Sequence, residues 1–292
     1  MHTKTAAPER RFAPILPFAA MLVTIVSVQF GAAFSKQLFP VLGVERTTFL
    51  RLGLGALMLA PILKPWKMRV PRRQLPLLLF YSATLGTMNL CFYLAVQRIP
   101  LGIAVALEFI GPFGLAIAFS HRRMDLLWVA LAMAGLWLLL PLSQAFHAHA
   151  PALDGLGVMF ALCAACCWAA YSLLARRIGN SQGPAIVALA MVIAALLILP
   201  LAAVQPGPII ITAHVALAAV VMALFSSALP FSLEMIALTA MPTRVYGTFT
   251  SLEPAVATLM GLMLLRELPT AAQLAGIAAV VAASVGTALF GA

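Results

Sequence analysis

Charge is scarce in this sequence. Its 8 acidic and 18 basic side chains make up 9% of 292 residues, whereas soluble globular proteins carry about a quarter. With 63% hydrophobic residues beside so few charges, a water-soluble globule is excluded. Long polar runs are missing too: mean hydropathy is +1.06 over the whole chain, and nothing resembles a sizeable soluble domain. Function must therefore lie within a bilayer. The 4 cysteines (Cys91, Cys163, Cys166, Cys167) fall in apolar stretches, which argues against a disulfide framework. Cys163 and Cys166 form a C-x-x-C without a second pair or a nearby histidine, so small core packing is expected and no metal. His147 and His149 read as solvated loop. No G-x-x-x-x-G-K-[ST], H-E-x-x-H or G-x-S-x-G occurs, so ATP is not this chain's energy source, and an intramembrane enzyme has no visible nucleophile. No cofactor is expected.

What the chain has instead is apolar runs of helical length. Cut at its polar and Pro/Gly-rich breaks, it yields segments at 13–35, 43–63, 74–97, 99–119, 125–142, 156–175, 184–204, 212–238, 243–265 and 268–290, each near the roughly 20 residues a bilayer needs. The first is longer than a signal-peptide apolar region and lacks a clear cleavage site, so it is expected to stay as a span. Strands are excluded, because open sheet edges have no partners in lipid and the runs do not alternate.

Basic residues set the orientation. With the N-terminus inside, the cytoplasmic side receives Lys4, Arg10, Arg11, the cluster from Lys64 to Arg73, the pairs Arg122-Arg123 and Arg176-Arg177, and Arg244. The other side receives only Lys36, Arg46, Arg98 and Arg266, while Arg51 lies inside the second span. This positive-inside bias puts both termini in the cytoplasm. It also accounts for the net charge of +10 without nucleic acid, since these residues are loop anchors with no aromatic interleaving.

A repeat is present. A shift of 142 residues lays Pro100 on Pro242, Pro112 on Pro254 and Asp125 on Glu267, and a shift near 137 lays Gly31–Ser35 (GAAFS) on Trp168–Ser172 (WAAYS). Two five-span halves are expected at 1–150 and 151–292, joined by the loop of His147, His149 and Asp154. Five is odd, so the halves cross in opposite directions. Inverted repeats of this kind characterise transporters that alternate access around a midplane site.

The stretches PLGIAVALEFIGP (100–112), GLWLLLPL (135–142) and LPFSLEMIALTAMPTRVYGTFTSLEPA (229–255) resemble the bacterial threonine and homoserine exporters of the EamA branch of the drug/metabolite transporter superfamily. The likeness covers nearly the whole chain. It implies an all-α membrane protein of ten helices in two repeats, with a central cavity formed by spans one, three, four, six, eight and nine. It also implies export of threonine and homoserine. Departures are Phe30-Gly31 where such repeats often carry Trp-Gly, and Arg266-Glu267 where Gly-Glu is usual.

Ionisable groups at membrane depth are costly, about 2.5–3.5 kcal/mol each on insertion scales, so those retained face the interior. Glu108 sits near the centre of span four, one turn before Pro112, and Glu253 near the centre of span nine, directly before Pro254. A proline lacks the N–H that would serve the carbonyl four residues back, here those of Glu108 and Thr250. Carboxyl and carbonyl together make a notch for an ammonium group or a proton. The competing role is a protonated glutamate that only braces helices. Glu234, one turn after Pro230, stands closer to the cytoplasmic end, as a gate, a second proton site or a group that reaches water. Arg51 can hold a substrate carboxylate, pair with a buried glutamate or snorkel outward.

Ser82, Gly86, Asn89, Tyr93 and Gln97 recur on one helical face of span three, and that stripe is expected to line the cavity, with Asn89 and Tyr93 contacting substrate. Trp168, Tyr171 and Ser172 in span six, and Tyr246, Thr250 and Glu253 in span nine, form aromatic-and-hydroxyl patches that serve either packing or a site. Gln29 and Lys36 in span one carry less signal, and Lys36 is expected as an interface anchor. Ala275, Ala279 and Ala283 mark a close helix contact, internal by default, so a monomer is expected.

The expectation is an inner-membrane secondary transporter of small neutral amino acids, with protons as counter-ion and lipid as surroundings. Efflux of cationic or aromatic compounds is the alternative within transport; a non-transporting scaffold or receptor is the alternative outside it. The orientation predicts that a cysteine introduced near residue 70 reacts with a membrane-impermeant reagent only from the cytoplasmic face. External labelling there would reverse it.

Overall fold

The computed structural model describes residues 15–68, 70–118, 125–139, 153–182, 185–207, 212–240, 246 and 249–290, and every regular element among them is helical. In lipid each backbone N–H and C=O must be met within the protein, which the helix achieves along its own length. The elements are α1 (Ile15–Leu42), α2 (Val44–Leu63), α3 (Leu75–Arg98), α4 (Leu101–Glu108), α5 (Ile110–Ala118), α6 (Asp125–Leu139), α7 (Gly155–Gln182) and α8 (Ala185–Val204). There follow α9 (Ala213–Ala223), a π-helical turn (Leu224–Ala228), α10 (Leu229–Ala240), α11 (Glu253–Leu265) and α12 (Ala271–Phe290). Among the described residues six stretches are long and apolar enough to cross a membrane: Leu16–Leu42, Val44–Leu63, Arg72–Arg98, Gly155–Ala175, Ala185–Val204 and Ala213–Glu234. Leu101–Leu115, Glu253–Leu265 and Ala271–Gly286 are shorter apolar helices.

Small residues let the helices close up. A Cβ on Gly31 of α1 would lie 2.6 Å from Ser226 Cβ, and one on Gly102 of α4 would lie 2.1 Å from Thr258 Oγ1. Packing is most extensive between α3 and α7, with α2 against α8, α6 against α12, α1 against α10 and α11, and α4 against α11. One core gathers Ala33, Tyr93, Leu101, Leu107, Ala161 and Ala257, and a second gathers Leu52, Leu59, Tyr81, Leu85, Met191 and Ile198. Leu57, Ile62, Leu196, Leu217 and Met263 are exposed, as side chains facing lipid must be. Cys163 and Cys166 are exposed as well. They share a helical stripe with the exposed Leu156, Met159 and Leu173, which corrects the expectation of core packing. Ala279 belongs to an internal contact, opposite Gly135. His147 and His149 lie outside the described residues.

Several basic residues do more than anchor loops. Arg46 is buried, and its guanidinium donates to the carbonyls of Ala202 (3.2 Å), Gln205 (2.6 Å) and Gly207 (3.1 Å), meeting one last-turn carbonyl of α8 and two in the segment just beyond its end. Lys36 Nζ pairs with Glu267 Oε1 at 2.7 Å and donates to Ile99 O at 3.1 Å, while Glu267 Oε2 accepts the Leu101 N–H at 2.8 Å. That carboxylate joins α1 to the first turn of α4, where it also meets the positive end of the helix dipole. The interface-anchor role expected of Lys36 is thereby replaced by an ion pair. At the surface, Asp154 accepts from Arg98 at 2.9 Å and from the Leu156 N–H that opens α7, and these donors hold its carboxyl below the usual range.

α11 ends on Arg266 in the left-handed region, φ 55 and ψ 32, a conformation that costs a residue with a Cβ about 1–2 kcal/mol. The Arg266→Gly variant is expected to raise the thermal midpoint in detergent by about 2 °C, part of the relief being offset by the freer unfolded chain. A lowered midpoint would show that the arginine side chain contributes more than its backbone strain costs.

Candidate functional site

The site is assembled from breaks in helices. α4 ends at Glu108 and α5 resumes at Ile110, with Phe109 in a turn, where Pro112 cannot serve the Glu108 carbonyl. In the second half of the chain Ser251 and Leu252 form a turn, and Glu253 and Pro254 then open α11. Pro230 lies just beyond the π-helical turn, a feature with no signal in the sequence beyond that proline. In the π register it fails to serve Phe225 O, and in the α register Ser226 O. Both carbonyls find donors elsewhere: Ser27 Oγ of α1 donates to Phe225 O at 2.6 Å, and Arg51 Nη2 of α2 donates to Ser226 O at 3.3 Å.

Arg51 thus turns inward, which removes the snorkelling alternative. Its guanidinium carbon sits 5.1 Å above the ring centroid of Tyr93, a favourable cation–π contact, and its Nε is buried without a hydrogen-bond partner. Tyr93 is fully buried, its hydroxyl 2.5 Å from Ser35 Oγ, and Ser35 donates to Gly31 O at 2.7 Å. Tyr93 therefore positions Arg51 from below.

Three glutamates come together. Glu253 lies within electrostatic reach of both Glu234 and Glu108, and Glu108 within reach of Arg51. Among the described residues the carboxyls of Glu108 and Glu253 make no hydrogen bond or ion pair. Glu108 and Arg51 interact electrostatically without forming an ion pair among the described residues. Glu234 differs, because it accepts the Tyr246 hydroxyl. Tyr246 also senses Glu253 and Tyr171, and Tyr171 stacks on Tyr81 with centroids 4.7 Å apart. The Tyr246–Glu234 hydrogen bond thus lies within electrostatic reach of Glu253 on one side and Tyr171 on the other.

The remaining residues are placed less centrally. Asn89 is buried, with Nδ2 donating to Leu85 O of its own helix at 2.8 Å. Ser82 is fully buried and donates to Leu78 O, Gly86 packs against Ala194, and Gln97 is exposed. The stripe on α3 is thus mostly buried, and Gly86 lets Ala194 of α8 approach. Trp168 meets Phe109 edge-on at 5.6 Å and covers the break in α4–α5; Ser172 and Thr250 are half-buried. Tyr81, Ser35 and Ser226 escaped the sequence analysis. Of these only Ser35 carried a signal, as the last residue of the repeated GAAFS.

The sequence profile of the EamA-like transporter family matches residues 155–289. The threonine/homoserine exporter RhtA of Escherichia coli strain K12 is 46% identical over 274 residues, 94% of this chain and 92% of its own. The RhtA of Salmonella typhimurium strain SL1344 is 45% identical over the same extent. A crystal structure at 20% identity superposes with a TM-score of 0.60 over 96% of this chain and 97% of its own, a likeness of fold. On these similarities, the chain belongs to the EamA-like transporter family.

Proposed function

We propose that this protein is an inner-membrane exporter of small neutral amino acids, with threonine and homoserine as its substrates and protons as counter-ion. The observation that carries this is the arrangement of Arg51 and Glu108, a permanent cation and a titratable carboxyl within electrostatic reach of each other and not paired among the described residues. A zwitterion fits such a gap: its carboxylate takes the free donors of Arg51, and its ammonium group takes Glu108 or Glu253. The two RhtA relatives point to the same substrates. Glu234 and Tyr246 offer a proton route toward the cytoplasm.

The architecture in this proposal is ten spans in two inverted halves, 1–150 and 151–292, with both termini cytoplasmic and a monomer as the working unit. Helix packing supports it. Exchanging spans one to five for six to ten turns the α3–α7 contact into that of α1 with α9–α10, and the α3–α8 contact into that of α2 with α9 and the π-helical turn. The pairs α2–α8, α4–α11 and α6–α12 map onto themselves. All these contacts are present. Such pseudo-symmetry lets each half adopt the other's conformation, the basis of alternating access.

Uptake of labelled threonine into inverted vesicles, with competing amino acids, tests the substrate. Absence of threonine flux would overturn it. Glu→Gln at the coupling site is expected to abolish export driven by a pH gradient and to spare threonine exchange, because the amide keeps the shape and cannot titrate. Gradient-driven transport at wild-type rates in both Glu108→Gln and Glu253→Gln would defeat proton coupling through this pair. Loss of a charged hydrogen bond is worth about 1.5–3 kcal/mol, so Arg51→Gln should raise the KM for threonine about 10- to 100-fold. An unchanged KM would remove Arg51 from the site.

A further inference from the structure

Polar side chains of α1 are met almost without exception. Thr24 donates to Pro230 O, Ser27 to Phe225 O, Ser35 to Gly31 O, Lys36 to Glu267 and Gln37 to Leu264 O. Gln29 stands apart. It is only 2% exposed, its Oε1 has no hydrogen-bond partner, and its amide makes no hydrogen bond among the described residues. An unmet amide inside a lipid-surrounded protein opposes folding, and an apolar side chain of the same shape would remove the penalty.

Its position gives the amide a use. Lys36 and Leu101 are joined through Glu267, which fixes the relative depth of α1 and α4. From that contact Gln29 lies seven residues along α1 and Glu108 seven along α4, about 10 Å in each case at 1.5 Å per residue. Both therefore stand in one layer. One turn before Gln29, Ile25 packs with Tyr246, Phe249 and Val256; one turn after it, Ala33 packs in the core of Tyr93, Leu107 and Ala257. These two clusters hold the sequence neighbours of Glu253 and Glu108.

We propose that Gln29 accepts a hydrogen bond from the side-chain hydroxyl of the substrate, and so selects hydroxyl-bearing amino acids over aliphatic ones of the same size. The inference rests on the exporter proposal and deepens it. With the ammonium group assigned to the glutamates and the carboxylate to Arg51, the polar group left on threonine or homoserine is an O–H donor. A buried acceptor is what such a donor requires. A site built to bond a hydroxyl rejects an analogue that leaves the acceptor unmet far more strongly than an apolar pocket distinguishes isosteres.

Threonine and valine are near-isosteric and differ at the hydroxyl. In proteoliposomes of the full chain, wild type is expected to export threonine in strong preference to valine, and Gln29→Met should reduce that preference at least about 10-fold. The thermal midpoint of Gln29→Met without substrate should hold or rise, since no unmet amide remains. A bracing amide predicts the reverse, a lower midpoint with an unchanged preference, and that result overturns the inference. Should the methionine variant fail to fold, Gln29→Asn, which withdraws the amide by one methylene, is read by the same ratio; an unchanged ratio there overturns it equally. Wild type that exports valine as fast as threonine defeats the inference and leaves the exporter standing. Wild type that moves neither amino acid defeats both.

Discussion

Lipid offers no hydrogen bonds, so each carbonyl that a proline or a π-turn releases must be met from inside the protein. Much of the interior follows from that constraint. Pro230 and the π-helical turn release Phe225 O and Ser226 O, and the donors that answer are Ser27 and Arg51. The arginine is thereby drawn off the lipid face and laid over Tyr93, and the tyrosine is fixed by Ser35. Gly31, whose missing side chain lets Ser226 approach, belongs to the same assembly. A break in one helix thus sets the direction of a charged side chain on another.

Charge obeys the same constraint with two different outcomes. Glu267 is saturated, by Lys36 on one oxygen and the Leu101 N–H on the other. This arrangement costs least when it stays intact, because either partner left alone would be a half-buried charge without a counterpart. Glu108 and Glu253 have no such partners among the described residues. The molecule therefore separates satisfied charge that holds helices together from central carboxyls that have no partner among the described residues. In the proposed exporter the second kind is the useful one, since a substrate gains binding energy only from groups that the protein has left unmet.

How much of this the sequence discloses depends on the range of the interaction. Carboxyls in apolar runs are rare enough to be noticed, and Pro112 and Pro254 beside them announce broken helices from a few residues of sequence. Those features were legible. The direction of Arg51 was not, because it depends on Ser226, 175 positions away. Lys36 and Glu267 are 231 residues apart, and no local pattern relates them. Cys163 and Cys166 were misplaced because an apolar residue in a membrane helix faces lipid as comfortably as core, so hydrophobicity alone no longer separates inside from outside. The stripe on α3 is ambiguous for a related reason. Small and polar residues gather at helix contacts as well as at cavities, and Gly86 serves the contact with α8.

Unmet groups at a binding site also bear on turnover. A carrier has to release what it binds, so a site that holds its ligand too firmly slows every cycle. In the proposed exporter, the interaction of Arg51 with Glu108 supplies part of the compensation in the empty state that a substrate supplies in the loaded one. The difference between the two states is then small, which favours release. A closed ion pair would exclude the zwitterion, and two isolated charges would bind it too tightly or neutralise themselves by proton transfer. The freed carbonyl at Ser226 holds the guanidinium, and the interruption at Phe109 ends α4 on the glutamate, so each partner of the proposed site is placed by a break in a helix.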